Sequence, residues 1–337
     1  YHGPASFTYE VCDNGITRGQ SAPQCASAVV DVTVASVNDA PTASLSAPSS
    51  AVEGGAVSAT VSSDDIDGDS LTISWTVTKD GAPFANGTGS NVSFTPDDNG
   101  AYVVTATAAD ASANGSATAT VTVSNAAPSI ASVTGPTSQL AAGGSSTIAV
   151  TYADAGAADT HTATFTWSDG ATVPGTCTAG TCTATRTHAA AGIYTVSIVV
   201  ADDDGATAAS SFGNVVVYDV NAGFVTGGGW IATASGKANL NVNVKYQKGA
   251  TPSGSTKFDV AGGTFQSTSH DWLVVTGSTA TWQGSGAING AGNYGFTVTV
   301  TDAATDSFAV RVYDKATNAT VYETSGNLGG GSITIHR

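Results

Sequence analysis

Methionine is absent from all 337 residues, and charge is scarce: only 11% of the chain is Asp, Glu, Lys or Arg. The missing initiator leads us to expect a processed piece of something longer. Bases are the scarcest class, ten against 26 acids, for a net charge of −16. Phosphate binding needs clustered Lys and Arg, so nucleic acid is excluded as a partner. No run of 18 apolar residues occurs, so no membrane span is expected. Aromatics are 7% of the chain, too few to line the cleft that glycoside-hydrolysing carboxylates usually need. The five histidines (His2, His161, His188, His270, His336) are scattered, without an H-x-x-x-H or H-E pattern, and no G-x-S-x-G elbow occurs. We expect no enzyme.

Ala, Thr, Gly, Ser and Val dominate instead. A 41% hydrophobic fraction in regular alternation argues for packed structure rather than disorder. Two stretches repeat at one offset, that between Trp75 and Trp167. Gly100 and Gly192, Tyr102 and Tyr194, and Asp110 and Asp202 keep the same spacing. A unit of that size is about that of an immunoglobulin-type β-sandwich. The expected fold is all-β, with tandem immunoglobulin-like sandwiches and a Gly-rich C-terminal β-sandwich.

Four segments follow. Residues 1–41 read as two strands, ASFTYEV and ASAVVDVTV, joined by a cysteine loop; Phe7, Tyr9 and Val11 share one face. Residues 42–125 form a first module, in which Leu71, Ile73, Trp75 and Val77 alternate with polar residues. Residues 126–219 form a second. Pro41 and Pro128 mark the joints, since proline cannot donate to a ladder. Residues 220–337 carry Gly clusters at 227–229 and 329–331 around strands such as Leu240, Val242, Val244, Tyr246. Ile333–Ile335 reads as the closing strand, with Arg337 as the expected native terminus.

Several of these segments resemble known repeats. Phe7-Thr8-Tyr9, Asp13 and Val37-Asn38-Asp39-Ala40-Pro41 resemble the last hairpin and linker of a bacterial cadherin-like repeat, which implies further repeats upstream. Trp167, Asp169, Gly170, Gly192, Tyr194, Val196, Ile198, Val200 and Asp202 resemble the PKD repeat of secreted proteins, a non-catalytic sandwich; the first module shares only its second half. GGGWI and the terminal GGGSITIH resemble an uncharacterised module ending many secreted bacterial proteins.

Cys12 with Cys25, and Cys177 with Cys182, form local pairs across loops. Even numbers of cysteine in β modules read as disulfides and an oxidising, extracellular setting. A zinc knuckle would need C-x₂₋₄-C twice, and only the second pair comes near it. Charge is uneven: residues 1–219 hold 20 acids and 3 bases, residues 220–337 hold 6 and 7. In the loop Ser62–Asp69, Asp65, Asp67 and Asp69 alternate about Gly68, hard oxygen ligands at a spacing that suits Ca²⁺. An acidic surface turn is the competing reading. The cadherin-like resemblance implies that Asn38 and Asp39 donate to a calcium at the joint. Asp202–Asp204 is a weaker candidate, closer to a solvated turn.

The expectation is an extracellular or cell-surface structural protein, the C-terminal part of a filament-forming or adhesive assembly stiffened by calcium and disulfides. Its partners would be copies of itself or upstream repeats. The alternative is a carbohydrate-binding spacer of a secreted hydrolase, with Trp230, Trp272 and Trp282 as candidate platforms for cell-surface glycan if exposed. The apolar face of residues 1–41, with Phe7, Tyr9, Val11, Val30, Val32 and Val34, must be covered by another segment or another copy.

Overall fold

The computed structural model describes residues 3–21, 23–35, 37–219, 221, 223–234, 236–247 and 251–337. His2 lies outside them. Every regular element among the described residues is a strand. The chain divides into two compact units, Tyr1–Ala126 with Gly156–Ala158, and Ala127–Ala155 with Asp159–Arg337.

In the first unit, Gly3–Cys12 pairs antiparallel with Cys25–Val34 as a two-stranded sheet. Paired residues share a face, so Phe7 with Val30, Ala5 with Val32 and Gly3 with Val34 put the apolar side chains together. That face is open: Phe7, Tyr9 and Val11 are 58%, 47% and 60% exposed. The rest of the unit is a sandwich. A three-stranded sheet (Asn91–Phe94, Val57–Asp64, Thr42–Ser46) faces a five-stranded one (Ser50–Val52, Asn114–Ser124, Gly100–Ala109, Thr72–Lys79, Ala82–Thr88). Alternate residues of both sheets make the core, among them Val57, Val61, Trp75, Val77, Val104 and Val121. Tyr102 is fully buried, yet its hydroxyl donates to the Asp98 carbonyl at 2.9 Å, so its polar end is satisfied.

The second unit opens with a similar sandwich. Ser129–Thr134, Ser145–Ala153, Thr181–Thr187 and Thr176–Thr178 form one sheet; Leu140–Ala141, Thr207–Tyr218, Gly192–Asp202, His161–Trp167 and Thr172–Pro174 form the other. Tyr194 donates to the Ala190 carbonyl at 2.9 Å, four residues upstream, as Tyr102 does. The shared sequence offset thus reproduces one corner in both modules. On its outer faces short hydroxyls pair across strands: Ser145 with Thr187 and Thr147 with Thr185 at 2.8 Å, Ser132 with Thr151 at 2.7 Å.

The C-terminal module departs from the sandwich expected of it. Eight antiparallel strands, from Phe224–Thr233 to Thr320–His336, close into a barrel in which the last pairs with the first. The glycine clusters explain the closure. Gly228 pairs with Ser332 and Gly229 with Gly331 at the closing seam. A Cβ on Gly229 would stand 2.3 Å from the Gly330 carbonyl oxygen, so only glycine lets these strands approach so closely. Closure removes the sheet edges a sandwich would leave. Phe258, Phe265, Trp282, Phe296 and Phe308 fill the interior.

Candidate functional site

The Asp65–Asp69 loop is built by its first acid. Asp65 Oδ1 accepts from the Asp67 amide at 2.9 Å and more weakly from that of Asp69 at 3.4 Å. The Gly68 amide bonds the Asp65 carbonyl at 3.2 Å, and Gly68 itself sits at φ +76°, a conformation that favours glycine. The other oxygen, Asp65 Oδ2, is buried and has no hydrogen-bond partner. A buried carboxylate oxygen without a donor is costly, and a cation is one way to satisfy it.

The linker meets this loop. The Asp39 amide donates to Asp67 Oδ2 at 2.7 Å, and Asn38 Nδ2 donates to Asp110 Oδ2 at 3.2 Å. Asp110 also accepts from the amides of Ser112 and Ala113, which hold its carboxyl below the usual carboxylate range. Asp65, Asp67, Asn38 and Asp39 are therefore brought to one end of the first module. The carboxylate oxygens of Asp65, Asp67 and Asp69 do not all lie within 4.8 Å of one another. Asp110 was not singled out for this place by its sequence, where it shows only as a residue repeated at Asp202.

Two acids of the weaker triplet carry backbone hydrogen bonds. Asp202 Oδ1 accepts from the Ala206 amide at 2.8 Å, and Asp203 Oδ1 from the Thr160 amide at 2.9 Å. Asp202 thus closes its own turn, and Asp203 ties that turn to the residue before strand His161–Trp167.

Both cysteine pairs are bridged, Cys12 to Cys25 and Cys177 to Cys182. Each bridge joins residues directly opposite in an antiparallel ladder. The second closes the turn Ala179-Gly180, where both residues take positive φ, as a tight hairpin turn of that hand requires.

The tryptophans correct the platform expectation. Trp282 is fully buried in the barrel, where its Nε1 donates to Thr256 Oγ1 at 2.9 Å. Trp272 is 7% exposed and packs with Val216 and Val274. Trp230 is half-buried. Lys237 Nζ stands 3.8 Å from the ring centre, and a Cβ added to Gly329 would fall 2.2 Å from the ring. The indole covers the glycine strand that closes the barrel. Trp272 and Trp282 therefore offer no free face for a sugar ring to stack on.

Residues 38–124 match the family model of the bacterial Ig domain, and residues 125–217 that of the PKD domain. The chain therefore carries Ig-like and PKD-type repeats. Such domains are typical of extracellular adhesion and surface proteins and are typically non-catalytic. A comparison with curated proteins gave no match. Among solved structures the chain is similar to Sidekick-1 immunoglobulin domains 1–5, at 14% identity and a TM-score of 0.29, over 60% of this chain and 43% of that one. It is similar to the full ectodomain of mouse nectin-like molecule 4, at 14% identity and a TM-score of 0.27, over 66% and 96%. It is also similar to the N-terminal eight Ig domains of Down Syndrome Cell Adhesion Molecule, at 13% identity and a TM-score of 0.24, over 97% and 56%. The chain thus spans less than half of the Sidekick-1 structure.

Proposed function

We propose that this chain is a region of an extracellular structural protein that assembles through β-strand and module contacts and is stiffened by calcium and disulfides. The observation that carries the reading is the hairpin Gly3–Cys12 with Cys25–Val34. Among the described residues it pairs only with itself, and it leaves Phe7, Tyr9 and Val11 exposed on one face. Two strands alone are marginal in water, and an open edge beside an apolar face is a template for another strand. Strand addition from a neighbouring repeat or a second copy would satisfy both.

Calcium would be held by Asp65, Asp67 and Asp69, with Asn38 and Asp39 from the linker. The unpartnered Asp65 Oδ2 fits that role, and the loop's chemistry is all hard oxygen. A bound Ca²⁺ would supply positive charge to relieve the repulsion of these acids; the Asp39 amide bond to Asp67 already ties linker to loop.

Light scattering of the whole chain over a concentration series tests the assembly. Concentration-dependent growth is expected, reduced by the pair Phe7→Ser and Tyr9→Ser. A monomer at every concentration overturns it. Thermal melts with calcium and with chelator test the metal, and coincident melts remove it.

A further inference from the structure

In the second unit the PKD-type module and the barrel share an apolar seam. Val216, Trp272 and Val274 pack together with Ala191 and Ile193. Tyr218 of the module stacks on Tyr246 of the barrel with ring centroids 5.3 Å apart. Tyr246 in turn donates to the Leu273 carbonyl at 3.0 Å, and burial pushes its phenol up to about 12. The seam is thus fixed by packing, and beside it lies a cleft of about 660 Å³. That is within the range of small-ligand sites.

Both walls of the cleft break their ladders at the same place. The barrel strand Gly263–Thr276 shifts register between His270 and Trp272, which leaves Asp271 as the extra residue. The facing strand Thr207–Tyr218 skips from Phe212 to Val215, and Asn214 there holds φ +51°. Bulges re-aim side chains and recur beside functional sites, and a non-glycine residue at positive φ stores strain. Asn214 and Asp271 both line the cleft, with Ser138, Gln139 and Gln283. Gln139 Nε2 bonds the Asp271 carbonyl at 3.1 Å and ties the two walls together. No hydrogen bond from the side-chain carboxamides of Asn214 and Gln283 occurs among the described residues, so both remain available to a ligand.

We propose that this cleft binds a neutral oligosaccharide through Asn214, Asp271 and Gln283. Among the described residues the polar lining holds carboxamides, hydroxyls, one carboxylate and the His270 imidazole, with no Lys or Arg. Such a set both donates to and accepts from the hydroxyls of a sugar, and its described residues bring no Lys or Arg to attract a phosphate, a sulfate or an acidic polymer. The flanking sequence reinforces the choice, since residues 1–219 carry 20 acids against 3 bases and repel polyanions. Trp272 serves the seam rather than stacking. The ligand would therefore be read by hydrogen bonds along its edges, unlike the exposed-aromatic mode expected of these tryptophans. The proposal does not depend on the assembly reading, because the hairpin belongs to the first unit.

Affinity electrophoresis of the full chain tests it, in gels cast with a soluble β-glucan, a mannan, a xylan or a galactan, and with polygalacturonate as the acidic arm. Retardation by at least one neutral polymer is expected. Gln283→Ala and Asn214→Gly, the latter keeping the left-handed backbone, should each weaken it up to about tenfold, as loss of one hydrogen-bonding carboxamide does. Melting temperatures near wild type for both variants show that the fold is kept. If either variant melts early, the other carries the test, and Gln283→Glu provides a third variant of similar shape. No retardation by any neutral polymer overturns the proposal. So does retardation by polygalacturonate alone, or retardation that these substitutions leave intact.

Discussion

Acidification should loosen the barrel through one histidine. His270 is 4% exposed, and its Nε2 lies 2.9 Å from Thr256 Oγ1. That hydroxyl already accepts from Trp282 Nε1, a group that can only donate. The threonine proton is then free to reach Nε2, which must be unprotonated to accept it. Burial holds the imidazole at about 4, against an ordinary value of 6.5. Between those limits the unfolded chain binds a proton that the folded chain refuses. Stability therefore falls as pH drops through 6.5 and levels off below the folded value. At about 1.4 kcal/mol per unit the full loss is about 3 kcal/mol, of which about 2 kcal/mol falls between pH 7.5 and pH 5. Urea unfolding followed by tryptophan fluorescence measures it against His270→Gln, whose amide oxygen still accepts from Thr256 but does not titrate. His188, also held low by burial, is common to both proteins and cancels. Asp169, held at about 2 by Arg186, titrates below this window. Parallel stability curves for the two proteins would refute the reasoning.

A Cβ on Gly87 would stand 2.3 Å from Trp75 Cζ2, so Gly87→Ala should destabilise the first sandwich by about 1–3 kcal/mol, measured by calorimetry. Arg186 forks onto Asp169 and lies 5.3 Å from the ring centres of both Trp167 and Tyr194. Arg186→Lys should cost about 1 kcal/mol and raise the Asp169 carboxyl from about 2, as read by an NMR titration. Removing the Cys177–Cys182 bridge, which spans a separation of 5, should cost roughly 2 kcal/mol by chain entropy. Alkylation of the unreduced protein should add no mass.

The sandwiches were legible because their cores are written locally. Trp75, Val77 and Tyr102 follow the period of two, and the second module repeats the pattern at one offset. The barrel was not legible from the same alternation. Leu240, Val242 and Val244 look alike whether a strand faces another sheet or the interior of a closed one. Closure depends on Gly229 meeting Gly331, a pairing between opposite ends of the module. The tryptophans failed for a related reason: Trp282 lies inside and Trp230 outside, and composition does not separate them. The acidic loop could be placed by its spacing, but Asp110, brought in by Asn38 from 72 residues away, could not.

The hydroxyl pairs on the second sandwich have an environmental consequence. Ser145 with Thr187 and Thr147 with Thr185 hold neighbouring strands without formal charge. Counter-ions screen exposed ion pairs within about 10 Å at 0.1 M salt, but neutral pairs have little to screen. Lys79–Asp98 and Arg186–Asp169 are ion pairs, and His161 Nε2 lies 2.9 Å from Asp154 Oδ2. Lateral cohesion of these sheets should therefore be the same in fresh water as in brine, while mutual repulsion of the acidic surfaces weakens as salt rises.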